Sequence, residues 1–305
     1  MKEENNLVSR VKRYSKVTTS MTSLATKFAG KKYLNFDLSD QKYAAQITEI
    51  LGNLKGPLMK VAQLSATIPD LLPEEYARKL AELQSNAPPM SWVFVKRRMK
   101  AELGENWQNN FKEFNQEASF AASLGQVHKA KLKTNDYVAC KLQYPDMSSA
   151  VEADLNQLKI IFKIYSSYNK SIQIREIYKE IEARLKEELN YSLENKHLKI
   201  FKFIHKNNSY IKIPNVYEKI STNRLLVMEF LNGKKLIEYK NAPQKTRNEL
   251  AKKLFMAWYL PFYKYGIIHG DPHLGNYSVD NKNNINLFDY GCVRIFPPKF
   301  VKGVI

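Results

Sequence analysis

Apolar residues recur at helical spacing in several stretches of the chain, and each stretch predicts a helix with one apolar face. These stretches lie at residues 41–65, 74–86, 92–103, 147–169, 174–205 and 244–265. Shorter runs rich in β-branched and aromatic residues predict strands at residues 118–133, 137–143, 210–217, 224–230 and 276–288. The mixture predicts an α+β fold, and 305 residues are enough to bury a sizeable core.

A polar loop late in the chain carries the side chains that phosphoryl transfer needs. Asp271 and Asn276 lie on this loop, and Asp289 follows after a predicted hairpin, in the run Asp289-Tyr290-Gly291. Phosphoryl transfer requires a carboxylate that orients or deprotonates the acceptor hydroxyl, and oxygen ligands for magnesium. Asp271 suits the first role, while Asn276 and Asp289 suit the second. This order of loop, hairpin and Asp-aromatic-Gly is typical of kinase catalytic loops.

An upstream strand carries a lysine that fits the same chemistry. The run Val138-Ala139-Cys140-Lys141 follows the Val-Ala-x-Lys pattern of kinases, in which the lysine contacts the α- and β-phosphates. A glutamate from a nearby helix holds such a lysine in kinases. The helical stretch 174–205 offers Glu188 and Glu194, and the residues alone leave both possible.

An apolar strand that ends at a glycine turn, from Leu225 to Gly233, has two interpretations. By analogy with kinases it is the hinge between two lobes, and the backbone from Glu229 to Leu231 contacts adenine. A purely structural strand in the core would show the same pattern, so the residues leave both interpretations open.

The predicted phosphate-binding loop is rich in alanine. It contains Ala121-Ala122-Ser123-Leu124-Gly125, whereas a protein kinase has three glycines that let backbone N–H groups approach the phosphates. Alanine lacks the freedom of glycine at positive φ, so we expect a stiffer loop. The same residues could equally form an ordinary strand, turn and strand.

Together these motifs resemble the UbiB/AarF family of atypical kinase-like proteins, from about Val11 to the C-terminus. Segment 121–128 is similar to the alanine-rich loop of that family, and segment 188–194 is similar to its Glu-x-Asp helix. Lys60-Val61-Ala62-Gln63 is similar to its Lys-x-Gly-Gln extension. Ala62, Asn190 and Phe120 stand where the family has Gly, Asp and a small residue.

The resemblance implies a two-lobed, protein-kinase-like α+β fold with an N-terminal helical extension. Lys141 would pair with Glu194, and the extension with Lys60 and Gln63 would cover the active site, with Glu188 facing it. ATP and Mg²⁺ are the implied cofactors. The residues implied to contact the nucleotide are Ala121, Ala122, Ser123, Lys141, Glu229 and Leu231. The implied function is an ATPase or phosphotransferase that supports ubiquinone biosynthesis, with quinone-biosynthesis proteins or lipid precursors as partners.

The motifs divide the chain into four predicted parts. A basic N-terminal segment covers residues 1–40, and the helical extension covers 41–110. A kinase-like N-lobe covers 111–231, and a partial C-lobe with the catalytic loop covers 232–305. A kinase-like C-lobe continues with several helices beyond its Asp-aromatic-Gly run, so we expect this lobe to be truncated.

The chain is strongly basic, with a formal net charge of +18. This charge favours an anionic membrane surface as a partner, whereas we expect no nucleic acid because no recognised binding module is present. Segment 8–34 mixes basic and apolar residues, and it could lie on a membrane or cap the extension. Cys140 and Cys292, both predicted in core strands, suit a reducing compartment. With no apolar run of about 18 residues, we expect a cytoplasmic protein that is peripheral at the inner face of a membrane.

Two other functions compete with this one. A small-molecule kinase of the aminoglycoside or choline type also has a His-Gly-Asp-x-x-x-x-Asn loop, but the Lys60–Gln63 segment and the alanine-rich loop argue against it. A nucleotide-binding pseudokinase scaffold without turnover is the second alternative. The joint presence of Asp271, Asn276 and Asp289 argues against a scaffold.

Overall fold

The computed structural model describes residues 90–122, 124–152, 155–156, 159, 174–271 and 273–304. One compact unit comprises Met90–Gln143 and Lys186–Ile305, and the described part of a second unit lies within residues 144–185. The Lys60–Gln63 segment and the basic N-terminal segment lie outside the described residues. The predicted domain boundaries at residues 40, 110 and 231 stay predictions.

Helices and strands are mixed along the described residues, which confirms an α+β fold. The helices are α1 (Trp92–Leu103), α2 (Ile174–Glu188), α3 (Tyr191–Ile204), α4 (Gln244–Tyr265) and α5 (Pro298–Val304). The strands are β1 (Phe111–Phe114), β2 (Phe120–Ala122), β3 (Gly125–Leu132), β4 (Tyr137–Gln143), β5 (Ile211–Lys212), β6 (Leu225–Glu229), β7 (Lys234–Lys235), β8 (Ile267–His269), β9 (Tyr277–Val279), β10 (Ile285–Leu287) and β11 (Val293–Ile295). Within these described parts of the chain, no helix is both long and apolar enough to cross a membrane.

A five-stranded antiparallel sheet lies in the unit that begins at Met90. Its strand order is β1-β3-β4-β6, and β2 pairs with β3. Val95 and Met99 of α1 pack with Trp107 and with Cys140 of β4 in one buried cluster. Because side chains alternate along a strand, the neighbouring Lys141 lies on the opposite face of the sheet.

Gly125 is required by the close packing of β3 on β4. It lies opposite Gln143, next to Leu142, at the edge of the ladder. A Cβ at Gly125 would overlap the carbonyl oxygen of Leu142 and would come 3.1 Å from the Tyr191 hydroxyl. The glycine of the alanine-rich loop is therefore retained for strand packing.

The same unit also contains a four-stranded sheet in the order β5-β10-β9-β7 and a separate antiparallel pair of β8 and β11. The β9–β10 hairpin is closed by Asp280, whose Oδ1 accepts the backbone N–H groups of Lys282 and Asn284, both at 2.8 Å. Leu287 of the hairpin and Phe201 of α3 share one core cluster. This core holds both ends of the loop that joins β8 to β9.

The stretch 174–205 forms two helices, so the prediction of one helix was wrong. Helix α2 ends at Glu188, and the side chain of Asn190 accepts the backbone N–H of Leu193 at 3.0 Å. Asparagine caps a helix well because its side-chain oxygen satisfies a free N–H of the first turn. Periodicity missed the break because apolar residues continue at helical spacing on both sides of it.

Two shorter corrections concern strands. The predicted strand at 210–217 pairs as a strand only over Ile211–Lys212, because Pro214 has no N–H to donate. Cys140 is buried on β4, but Cys292 precedes β11 and is only half-buried, so its placement in a core strand was wrong.

Candidate nucleotide-binding site

Lys141 is the centre of a buried ion cluster. Its Nζ donates to both carboxylate oxygens of Glu194, at 2.8 and 3.0 Å, and to Oδ1 of Asp289 at 3.2 Å. Glu194 is 2% exposed, whereas 40% of the Asp289 side chain is exposed. Of the two candidate glutamates, the structure therefore places Glu194 on the lysine, and Asp289 forms the exposed edge of the cluster.

The surrounding charges keep Lys141 protonated. Burial lowers its pKa, but the carboxylates of Asp289 and Glu194 outweigh burial and hold the pKa well above its usual value. The Nζ atom also lies 5.2 Å from the centre of the Tyr191 ring, in a cation–π contact. Lys141 is thus a buried cation, and Asp289 is the partner that is exposed to solvent.

Helix α3 aims Glu194 at the lysine. The buried positions Tyr191, Glu194, Leu198 and Phe201 recur every three to four residues and so share one face of the helix. The apolar members of this face belong to the core cluster. The position of the Glu194 carboxylate is therefore set by helix packing.

His269 connects the loop between β8 and β9 to the Asp-Tyr-Gly run. Its Nε2 lies 2.7 Å from the carbonyl oxygen of Asp289, and because a carbonyl oxygen only accepts, Nε2 must carry the proton. Its Nδ1 then accepts the backbone N–H of Asp271 at 3.4 Å. One buried ring thus links the backbones of the two aspartates.

Asn276 is tied to the same loop. Its Nδ2 donates to the backbone oxygen of Asp271 at 3.3 Å, and its own backbone oxygen accepts the N–H of Phe288 at 2.9 Å. Oδ1 of Asp271 accepts the backbone N–H of His273 at 3.2 Å. The structure therefore brings Asp271, Asn276 and Asp289 together around one loop and one hairpin.

The backbone of Asp289 is left-handed, with φ of 57°, which is uncommon for a residue other than glycine. Its Oδ1 also accepts the backbone N–H of Gly291 at 3.3 Å. Glu188, the last residue of α2, lies beside this run. A Cβ built at Gly291 would come 3.8 Å from the Glu188 Cγ. Glu188 therefore borders the Asp-Tyr-Gly run.

The predicted hinge follows β6. The backbone N–H of Glu229 donates to Asn215 O at 2.8 Å, and that of Phe230 donates to Tyr137 O at 3.0 Å. The Glu229 carboxylate accepts the side-chain amide of Asn215 at 2.7 Å. Among the described residues, the N–H of Leu231 has no hydrogen-bond acceptor. Leu231 is therefore the residue of this run whose N–H is not already used by described neighbours.

The alanine-rich loop forms a tight strand, turn and strand. Ala121 pairs with Gln126 and Ala122 pairs with Gly125 across β2 and β3. Ser123 lies outside the described residues. The backbone at Ala121 and Ala122 is thus paired in the sheet, and the stiffness of the loop stays a prediction.

Two buried histidines near the site received no role from the sequence. His269 links Asp271 to Asp289, as described above. The Nδ1 atom of His197, on α3, lies 2.9 Å from the backbone oxygen of Tyr290. A signal was available for His197, because it follows Glu194 by three residues and therefore shares its helix face.

Gly270, between His269 and Asp271, lies against Cys292. Its N–H donates to Cys292 O at 2.6 Å, and a Cβ at Gly270 would come 2.7 Å from Cys292 Sγ. Conventional protein kinases have an arginine before the catalytic aspartate. Here β8 approaches the start of β11 so closely that a Cβ at Gly270 would have to displace Cys292.

Comparison with known protein families shows to which family the chain belongs. The model of the ABC1 atypical kinase-like domain matches residues 82–305. The chain belongs to this family. The match confirms the resemblance to UbiB/AarF proteins that the motifs indicated.

Individual relatives agree with this assignment. Activity of BC1 complex kinase 7, a chloroplast protein of Arabidopsis thaliana, is 32% identical over 82% of this chain and 36% of its own length. The mitochondrial atypical kinase COQ8 of Saccharomyces cerevisiae is 27% identical over 84% of this chain and 52% of its own length. The chain thus spans about half or less of these two relatives.

A solved structure is also similar. The complex of Rv3197 with erythromycin, from Mycobacterium tuberculosis, has a TM-score of 0.62 and 28% sequence identity. The similarity covers 85% of this chain and 68% of that protein. The ABC1 protein described here therefore has a kinase-like α+β fold.

The packing around Gly270 leads to a prediction about stability. We expect Gly270→Ala to lower the free energy of unfolding by about 1–3 kcal/mol, because the new Cβ overpacks against Cys292. Gly303→Ala is a matched control, because no described atom lies within 4 Å of a Cβ built there. This control should change stability by less than about 1 kcal/mol. Urea unfolding measures both variants, and equal stability of Gly270→Ala and wild type would show that the contact is not tight.

Proposed function

We propose that this ABC1 protein binds ATP with magnesium and catalyses ATP hydrolysis or phosphoryl transfer. The observation that carries the proposal is the buried Lys141, held as a cation by Glu194 and by the exposed Asp289. A lysine fixed by a helix glutamate is the group that contacts the α- and β-phosphates in kinases. Membership of the ABC1 atypical kinase-like family supports the same function.

Asp289 and Asn276 are the residues that would hold magnesium. Carboxylate and amide oxygens suit this cation, and phosphate oxygens and water complete its octahedral shell in nucleotide sites. The Nδ2 of Asn276 already donates to Asp271, an orientation that leaves the amide oxygen as the ligand atom. The exposed carboxylate of Asp289 has the charge and the access that a metal ligand needs. When bound, the cation would neutralise charge on the phosphates.

Asp271 would orient or deprotonate the attacking hydroxyl or water. Its backbone is held on both sides, by His269 through the N–H and by Asn276 through the carbonyl oxygen. A carboxylate on a fixed backbone suits this role because catalysis of phosphoryl transfer depends mainly on positioning.

The backbone after β6 would bind adenine, and the alanine-rich loop would lie on the phosphates. The N–H of Leu231 supports the first assignment, because neighbouring N–H groups at Glu229 and Phe230 are already bonded. For the loop, the contacts would come from the backbone of Ala121, Ala122 and Ser123. A stiff loop of this kind would close less freely over a triphosphate than a glycine-rich one.

The helical extension would restrict access to the site. In this proposal Lys60 and Gln63 lie over the nucleotide and Glu188 faces them, as the UbiB/AarF resemblance implies. The position of Glu188 beside Gly291 supports a role at the Asp-Tyr-Gly run.

The biological role that we propose is support of ubiquinone biosynthesis at an anionic membrane surface, with quinone-biosynthesis proteins or lipid precursors as partners. The UbiB/AarF resemblance supports the pathway, and the net charge of +18 supports the membrane. A location at the inner face of a membrane follows from the same charge.

The enzymatic proposal predicts ATP hydrolysis that requires magnesium. We expect Asp271→Asn to lower kcat by about 100-fold or more, because it removes the carboxylate that orients the attacking group. Asp289→Asn should abolish the magnesium-dependent hydrolysis, because it removes the carboxylate that would bind magnesium. Asp136→Asn, which changes an exposed carboxylate beside β4, is the matched control and should retain the wild-type rate.

Phosphate release from purified protein, with magnesium or with a chelator, distinguishes the outcomes. Hydrolysis that survives Asp271→Asn would place catalysis elsewhere. A wild-type protein that binds ATP without any turnover would instead be a pseudokinase scaffold.

The membrane proposal predicts binding that depends on charge. Each basic residue near an anionic surface contributes on the order of 1 kcal/mol, so three or four of those in segment 8–34 suffice. Co-sedimentation with anionic liposomes should fall steeply as salt rises, because the attraction decays within a Debye length. Removal of residues 1–34 should weaken it, and equal binding to neutral liposomes would contradict the proposal.

A further inference from the structure

Helix α3 presents two polar side chains to the site, one turn apart. Glu194 contacts Lys141, and His197 contacts the backbone of Tyr290. Both side chains are almost fully buried, at 2% and 8% exposure. Burial of a polar side chain costs free energy unless the side chain is hydrogen-bonded. The hydrogen bond of His197 therefore offsets the cost of burying this side chain as α3 packs.

The hydrogen bond of His197 has a defined direction. Its Nδ1 lies 2.9 Å from the Tyr290 carbonyl oxygen. A carbonyl oxygen only accepts, so Nδ1 carries the proton and donates it. Burial lowers the pKa of this imidazole, so the ring is a neutral donor at ordinary pH.

Two consecutive carbonyl groups of the Asp-Tyr-Gly run are thus held by two histidines from different elements. His269, at the end of β8, donates to the Asp289 carbonyl oxygen at 2.7 Å. His197, on α3, donates to the Tyr290 carbonyl oxygen. Asp289 between these anchors has φ of 57°. A left-handed aspartate is strained by about 1–3 kcal/mol and persists only where its surroundings hold it.

We propose that His197 is a positioning residue that keeps Asp289 in its left-handed backbone conformation by holding the next carbonyl group. Through His197, the helix that places Glu194 on Lys141 also orients the carboxylate that would bind magnesium. The inference rests on the proposed function of Asp289 as a metal ligand. Helix α3 has two other contacts that could hold the run: Phe201 packs on Tyr290 with ring centres 5.0 Å apart, and the Glu194 carboxylate accepts the backbone N–H of Tyr290.

Variants of His197 separate the hydrogen bond from the packing. In His197→Asn, the Nδ2 donor is the same number of bonds from Cα as the Nδ1 of histidine, so it can donate to the same oxygen. His197→Leu keeps a branched side chain but has no donor, and His197→Ala is a second donor-free variant if leucine packs poorly. Phe201 is unchanged in all of them.

The measurement is the ratio of ATP affinity with magnesium to ATP affinity without it, by isothermal titration calorimetry. Loss of one hydrogen bond to a strained backbone should reduce this ratio by about tenfold in His197→Leu and His197→Ala. His197→Asn should stay within about threefold of wild type. The affinity without magnesium should be unchanged in all variants, because Lys141 and Glu194 are intact. Each variant is measured below the temperature at which its own ligand-free unfolding begins.

The outcomes are distinct. A wild-type ratio in the donor-free variants would overturn the inference and leave the contacts of Phe201 and Glu194 with Tyr290 as the cause. An equal loss in His197→Asn would also overturn it, because the donor would then be irrelevant. A loss of affinity without magnesium would show general disruption of the Lys141 side, which contradicts a specific role at Asp289. If wild type shows no magnesium effect at all, the proposed function itself fails.

Discussion

The buried charge of Lys141 is the constraint on which the rest of the site depends. An ammonium group removed from water costs several kcal/mol unless opposite charges lie within hydrogen-bonding distance. Glu194 and Asp289 meet that requirement, at 2.8 and 3.2 Å. The three residues come from β4, from α3 and from the run after β10, so one cation ties together three distant parts of the chain. Asp289 is the exposed partner, and it is therefore the contact that a phosphate group can most easily replace.

The Asp-Tyr-Gly backbone extends this constraint to the loop between β8 and β9. The buried His269 bonds the backbones of Asp271 and Asp289. His197 bonds the following carbonyl group from α3. The site is thus built from backbone positions held by two histidine rings and from one buried cation held by carboxylates. Phosphoryl transfer, the reaction proposed for this site, depends mainly on such positioning.

Much of the site could be predicted because its chemistry is local in sequence. Asp271 and Asn276 share one loop, and Lys141 ends a recognisable strand pattern. The choice between Glu188 and Glu194 needed the family resemblance, because the break at Asn190 that separates their helices was hidden by continuous periodicity. The tight contact of Gly270 with Cys292 depends on how β8 meets β11, and the role of His197 depends on which carbonyl group faces α3. Pattern reasoning does not reach such contacts between elements that are far apart in sequence.

A double-mutant cycle on Lys141 and Glu194 tests the central claim most directly. Urea unfolding gives the stability of wild type, Lys141→Met, Glu194→Gln and the double variant. Each single change should cost about 2–5 kcal/mol, because it leaves a buried charge poorly compensated. The double variant should cost less than the sum, with a coupling of at least about 1 kcal/mol. Costs that add to within about 0.5 kcal/mol would show that the two residues act independently, and would contradict the account.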